Sequence, residues 1–139
     1  MKIELIRKND AFHFDAYNEA GNVLSMDANA EIGGEEKGFR PMQTLLAGLG
    51  GCSAIDVLQI LKKQRQEVTH CSIGIEAERE TGKDIALFTS IHVHFRLSGV
   101  LQAEKVEKAL RLSFEKYCSV AAILEKTAQI EYSYEIQQA

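Results

Sequence analysis

At 139 residues, with 45% hydrophobic and 26% charged residues, the chain has the length and balance of one globular domain with a real core. A formal net charge of -4 and a pI near 5.6 argue against nucleic acid as a partner, because phosphate binding needs a basic face. No stretch of about 18 consecutive apolar residues is present, so no membrane span is expected.

Residues 1–10 alternate apolar and charged side chains and lack the apolar stretch of a signal peptide, which points to the cytoplasm. In that reducing compartment the three cysteines read as reactive, metal-bound or buried thiols rather than structural disulfides.

Three short strands are expected first, over 1–6, 11–17 and 22–27, with Phe12, Phe14 and Ala16 sharing a face of the second. Gly21 and Asn22 tolerate positive φ and suit the turn between the last two, so an antiparallel meander is expected. Residues 29–41, with Gly33-Gly34 and Gly38, form a loop long enough to be a lid or pocket wall. Residues 42–64 read as one long helix entered through Pro41. Its apolar residues cover nearly the whole circumference, which predicts burial on all sides and a partner subunit. Gly48, Gly50 and Gly51 imply either close packing or access to Cys52.

Two long strands follow. Over 69–79 the expected inward set is Thr69, Cys71, Ile73, Ile75 and Ala77; over 87–97 it is Leu87, Thr89, Ile91, Val93, Phe95 and Leu97. Thr81-Gly82-Lys83-Asp84 turns between them. An amphipathic helix is predicted over 103–117, with Val106, Leu110, Ser113 and Tyr117 on one stripe, then a short helix over 119–127 and a strand over 129–136. The order defines an α+β protein with an antiparallel sheet packed on a buried helix.

Cys52 sits among apolar residues, with Asp56 one turn further on the same face, and a nearby carboxylate disfavours a thiolate. A free cysteine in such a place is often simply buried. Cys118 opens a new helical stretch, where the helix dipole and free N–H groups lower a thiol pKa; the alternative is a cap or linker cysteine. Cys71 reads as core packing. His92 and His94 share the face opposite the core set and read as solvated, as do His13 and His70. There is no Walker loop, dinucleotide-binding glycine fingerprint or paired C-x-x-C, so no cofactor and no metal are expected.

Two stretches carry a resemblance: Leu49-Gly50-Gly51-Cys52-Ser53-Ala54-Ile55-Asp56-Val57 and Glu115-Lys116-Tyr117-Cys118-Ser119-Val120-Ala121. Both resemble the OsmC/Ohr family of osmotically induced and organic hydroperoxide resistance proteins, most closely its YhfA-like branch. The resemblance implies an intertwined homodimer with sheets wrapped around long central helices. It implies that Cys52 attacks a small apolar hydroperoxide and becomes a sulfenic acid. Cys118 would then close a disulfide that a dithiol reductant reopens. Met42, Leu45, Leu46 and Leu49 would line an apolar pocket. Peroxidase members carry an Arg in the N-terminal strands and a Glu ten residues before the first cysteine. Here the latter position is Met42, and no Arg lies between Arg7 and Arg40, which leaves Arg40 and Gln43 as the activation candidates. The alternative is a non-catalytic small-molecule binder or redox-responsive protein on the same scaffold.

Overall fold

A computed structural model describes residues 1–137. The sequence reads as one domain; the contacts group the chain into two compact units, with the boundary between Ala47 and Gly48 inside the long helix.

The first unit holds β1 (Ile3–Arg7), β2 (Phe14–Asn18) and β3 (Val23–Met26), paired antiparallel in that order as the meander predicts. Gly21 takes φ 83°, the left-handed conformation the turn requires. Phe12 falls in the connection before β2 rather than in the strand and is exposed. His13, expected to face water, is instead half-buried, with Nε2 3.2 Å from the Asp15 carboxylate. The loop after β3 is not a free flap. The buried Asp27 carboxylate accepts hydrogen bonds from the backbone N–H groups of Ala28 (2.7 Å), Lys37 (3.1 Å) and Glu35 (3.3 Å), folding the loop back on itself. Phe39 adds a bridge to Met26.

Helix α1 (Pro41–Lys63) begins with Pro at its first position, where a missing N–H costs nothing. Gln43 Oε1 accepts from the Arg40 N–H at 3.0 Å, half of a capping box. The helix ends in a Schellman motif. Arg65 takes φ 57°, its N–H reaches the Lys62 carbonyl, and the Gln66 N–H reaches that of Leu61.

The second unit contains α1 from Gly48 onward, β4 (Glu67–Arg79), β5 (Phe88–Val100), α2 (Ala103–Leu112), a π-helical turn (Ser113–Tyr117), α3 (Ser119–Leu124) and β6 (Gln129–Gln137). The sheet order is β4-β5-β6. β4 and β5 are antiparallel, but β6 runs parallel to β5, so this sheet is mixed rather than antiparallel throughout. The reason is the connection: a hairpin reverses the chain, whereas the α2–α3 crossover returns it to the same end.

Register irregularities at both ends of the β4–β5 pair correct the expected faces. Val68 and His70 pair with the consecutive residues Gly99 and Ser98, leaving Thr69 as an extra, exposed residue. Glu78 and Arg79 pair with Ser90 and Phe88, skipping Thr89. The bulge reverses the alternation, so Phe88 is buried while Leu87 and Thr89 are exposed. Between the bulges the alternation holds, and Ile91, Val93, Phe95 and Leu97 are buried.

Also buried are Leu49, Val57 and Leu61 of α1, Val106, Ala109 and Leu110 of α2, and Ala121 and Leu124 of α3, which complete the core of this unit. Phe114 in the π turn meets Phe95 edge-on at 6.4 Å and stacks on Tyr132 at 4.8 Å. Each fully buried large apolar side chain contributes about 1.5–3 kcal/mol. Tyr117, expected on the buried stripe, is half exposed because the π turn shifts it out of helical phase. Within one chain α1 is not buried all round. Leu49, Ser53, Val57 and Leu61, four residues apart, form its buried stripe, while Ile55 is 60% exposed. By length and composition α1 is also apolar enough to cross a membrane, a test that core helices pass as well.

Candidate functional site

The second unit brings the two cysteine motifs together from opposite ends of its sequence. Cys52 lies on α1 beside the buried stripe and is half-buried. Gly50, two residues earlier, lies against β4, where any Cβ would come within 2.9 Å of Ile75 Cδ1. Gly50 thus has the packing role anticipated for the glycines, whereas Gly48 and Gly51 face open space in the single chain.

Cys118 is placed by an unusual helix end. The chain leaves α2 through the π turn, which closes with the Cys118 N–H donating to the Ser113 carbonyl at 2.7 Å. Such wide turns often occur at functional sites. Cys118 then takes an extended conformation (φ −74°, ψ 102°) and caps α3, its Sγ accepting from the Ala121 N–H at 3.4 Å. It is 3% exposed.

Cys52 Sγ, Cys118 Sγ and a carboxylate oxygen of Asp56 all lie within 4.8 Å of one another. The sequence reading placed Asp56 on the Cys52 face; the structure adds that it faces Cys118 too. Ser113, fully buried at the start of the π turn, ties the pieces together. Its hydroxyl is 3.2 Å from Asp56 Oδ2 and 3.4 Å from the Ser53 carbonyl. Ser53 in turn donates to the Leu49 carbonyl at 2.8 Å. Sequence reasoning missed this role of Ser113. Its signal was a small polar residue on the stripe of Val106 and Leu110, where a purely structural helix would carry another apolar side chain.

The electrostatics overturn one expectation. The start of a helix was expected to lower the Cys118 pKa, but the thiol is pushed up to about 11. Burial is the largest cause; the Ala121 N–H opposes it, and the neighbouring Cys52 and the Asp56 charge add to it. A six-residue helix supplies too little field to offset removal from water. Cys118 is therefore a protonated thiol near neutral pH, a hydrogen-bond donor beside the Cys52 sulfur.

The remaining sequence candidates are placed as follows. Gln43 is engaged in capping α1, and Arg40, the cap residue, is exposed. Met42 and Leu46 are half-buried, Leu45 is exposed and Leu49 is fully buried. Cys71 lies on the inward face of β4 opposite Leu97, and burial pushes its thiol pKa up. His70 is exposed. His92 and His94 lie on the outer face of the sheet, sharing Ser133 Oγ at 2.8 and 2.7 Å. A cleft of about 410 Å³ on that side, lined by Glu76, Glu78, His92, Gln129 and Glu131 among others, includes no residue of the cysteine cluster.

These features define an α+β protein with a dithiol set between a long helix and the end of a π turn. The chain belongs to the family described as OsmC-like protein, which matches residues 34–133. It is 43% identical to Protein YhfA of Escherichia coli K12 over 121 residues, 86% of this chain and 87% of that protein. A hypothetical protein from Aquifex aeolicus VF5 has a crystal structure that superposes with a TM-score of 0.85 at 32% identity, over 99% of this chain and 96% of its own. An organic hydroperoxide resistance protein OsmC from Legionella pneumophila superposes with a TM-score of 0.72 at 15% identity, over 96% and 95% of the two chains. At that identity the likeness speaks for the fold alone.

Proposed function

We propose that the chain is a thiol-dependent peroxidase that reduces small apolar organic hydroperoxides in oxidative stress defence. The observation that carries this reading is the approach of the Cys52 and Cys118 sulfurs to within 4.8 Å across 66 positions of sequence.

Cys52, the more accessible of the two, attacks the terminal peroxide oxygen as a thiolate. The O–O bond breaks, an alcohol leaves once its oxygen is protonated, and Cys52 becomes a sulfenic acid. Cys118 then attacks the Cys52 sulfur; the hydroxyl leaves as water with the Cys118 proton, and a disulfide forms. A dithiol reductant supplies two electrons and two protons to restore both thiols. A sulfur–sulfur bond is about 2.0 Å long, so closure asks for a movement of at most about 3 Å.

The reading includes a homodimer in the cytoplasm. It is supported by the apolar surface that one chain leaves uncovered on α1, with Ile55 60% exposed, Leu58 37% exposed, and Gly48 and Gly51 open to close approach. A reducing compartment also suits three free cysteines.

One observation favours a second reading, a redox-responsive or ligand-binding protein without turnover: the Asp56 carboxylate lies beside both sulfurs and adds to the upward shift of the Cys118 thiol. Cumene hydroperoxide consumption with dihydrolipoamide as reductant decides between them. Cys52→Ser should abolish turnover, and Cys118→Ser should allow one oxidation of Cys52 without disulfide recycling. Wild-type consumption no faster than that of Cys52→Ser would eliminate the peroxidase.

A further inference from the structure

The cluster of Cys52, Cys118 and Asp56 has a second chemical capacity, which depends on neither peroxide nor turnover. Cysteine thiolates and aspartate carboxylates are each zinc ligands, and thiolates select soft cations over magnesium or calcium. The dimensions also suit it. A tetrahedral zinc ion with bonds of about 2.3 Å to sulfur and about 2.1 Å to oxygen holds its sulfurs about 3.8 Å apart and sulfur and oxygen about 3.6 Å apart. The three donor atoms here already fall within 4.8 Å of one another, so small side-chain rotations close the site.

Two further observations point to a cation. Asp56 is half-buried and, among the described residues, pairs with no Lys, Arg or His; its hydrogen-bond partner is the Ser113 hydroxyl. A carboxylate in this position, next to two sulfurs and without a counter-charge, leaves room for a positive ion. Ser113 also resembles the outer hydrogen-bond partners that orient metal-bound carboxylates: it is fully buried, and its single hydroxyl proton is offered to Asp56 Oδ2 at 3.2 Å, with the Ser53 carbonyl at 3.4 Å as the competing acceptor.

We propose that the reduced protein binds one soft d10 cation, zinc as the representative case, through Cys52 Sγ, Cys118 Sγ and Asp56, with water in the fourth position. Each thiol releases its proton to solvent as its metal–sulfur bond forms, and no change of oxidation state occurs. Ser113 is a positioning residue that holds the carboxylate in place. Because a disulfide removes both thiolate ligands, the oxidised protein does not bind, and metal and peroxide compete for the same sulfurs.

The test uses the full chain, reduced and stripped with a chelator, then titrated with zinc against a chromophoric competitor and separately with cadmium. The expected result is one ion per chain, an ultraviolet sulfur-to-cadmium charge-transfer band, and about two protons released per zinc bound. Ser113→Ala should weaken binding roughly 10-fold or more, the usual effect of losing an outer partner. Asp56→Asn should weaken it at least as much, and Cys118→Ser or prior disulfide formation should abolish it. Binding that survives oxidation, lacks the charge-transfer band or is unchanged in both Ser113→Ala and Asp56→Asn overturns the proposal. If Asp56→Asn fails to fold, Ser113→Ala and the oxidised wild type decide alone. Zinc binding without peroxide turnover upholds the metal site and rejects the peroxidase; turnover without zinc binding does the reverse.

Discussion

The Cys118 thiol should react far more slowly than an ordinary cysteine, and its reactivity should keep rising well above pH 9. An unperturbed cysteine has a pKa of about 8.5 and is roughly 3% thiolate at pH 7. Held at about 11, Cys118 is thiolate in about one molecule in ten thousand at that pH, about 300-fold less. A more basic thiolate is the better nucleophile, which recovers roughly 10-fold of that in thiol–disulfide exchange. The net expectation is a rate about 20-fold or more below that of the unfolded chain, before steric protection of a 3% exposed sulfur is counted. The assay is reaction with a small aromatic disulfide, in chelator, on a Cys71→Ser background, with site-resolved mass spectrometry and a urea-unfolded control. The Cys118 rate should climb about tenfold per pH unit from 7 toward 11, while the control levels off near pH 9. Stability has the matching sign. A thiol whose folded pKa is raised adds stability that is whole below the unfolded value and is lost as pH rises through the folded one, so the urea midpoint should fall between about pH 9 and 11. A Cys118 rate that levels off at or below pH 9 would show that the Ala121 N–H outweighs burial, and the argument from desolvation would fail.

Three substitutions probe the surrounding structure. Ser113→Ala removes the hydroxyl between Asp56 and the Ser53 carbonyl and leaves buried polar groups without it, so urea denaturation should show a loss of about 1–3 kcal/mol. Gly99→Ala should be among the most damaging single changes. Gly99 has φ 138°, and a Cβ there would lie 1.9 Å from the Glu67 carbonyl oxygen, so a loss of more than about 3 kcal/mol is expected from thermal or urea unfolding. The carboxylate of Asp27 is held below its usual pKa by three backbone N–H donors against the cost of its burial. Its contribution is therefore present above about pH 4 and lost as pH falls through the depressed value. Asp27→Asn should lower stability at pH 7 and flatten the acid limb of the stability–pH curve.

The elements of the fold were legible because each carries its own signal: alternation in the strands, Pro41 before α1, and glycine-containing turns. What the sequence concealed were features set between elements. The bulge at Thr89 reverses the inward face in a strand whose alternation reads unbroken from Leu87 to Leu97, because Leu and Thr are acceptable on either face. The direction of β6 was equally hidden, since its residues alternate in the same way whether it runs parallel or antiparallel to β5. The loop after β3, expected as a lid or pocket wall, is tied back through one carboxylate, Asp27, whose partners lie up to ten residues away and share no motif with it.

The candidate site divides along the same line. Cys52 and Cys118 could be named from their motifs, but their chemistry depends on what surrounds the sulfurs. From sequence, Cys118 is a cysteine at a helix start and should be acidic. In the folded chain the π turn swings it inward, where burial and the Asp56 charge outweigh the single N–H donor. The turn matters because it closes five residues back rather than four, at Ser113, and Ser113 is also the residue that reaches across to Asp56. One irregular turn thus sets the position of the second sulfur and of the carboxylate facing it. Restoring regular α-helix through residues 113–117, for example by deleting one residue there, should separate the two sulfurs while leaving the β4-β5-β6 sheet intact. Disulfide formation between Cys52 and Cys118 under mild oxidation is the direct readout. If the bond still forms as readily in a folded deletion variant, the π turn is not what brings the two cysteines together.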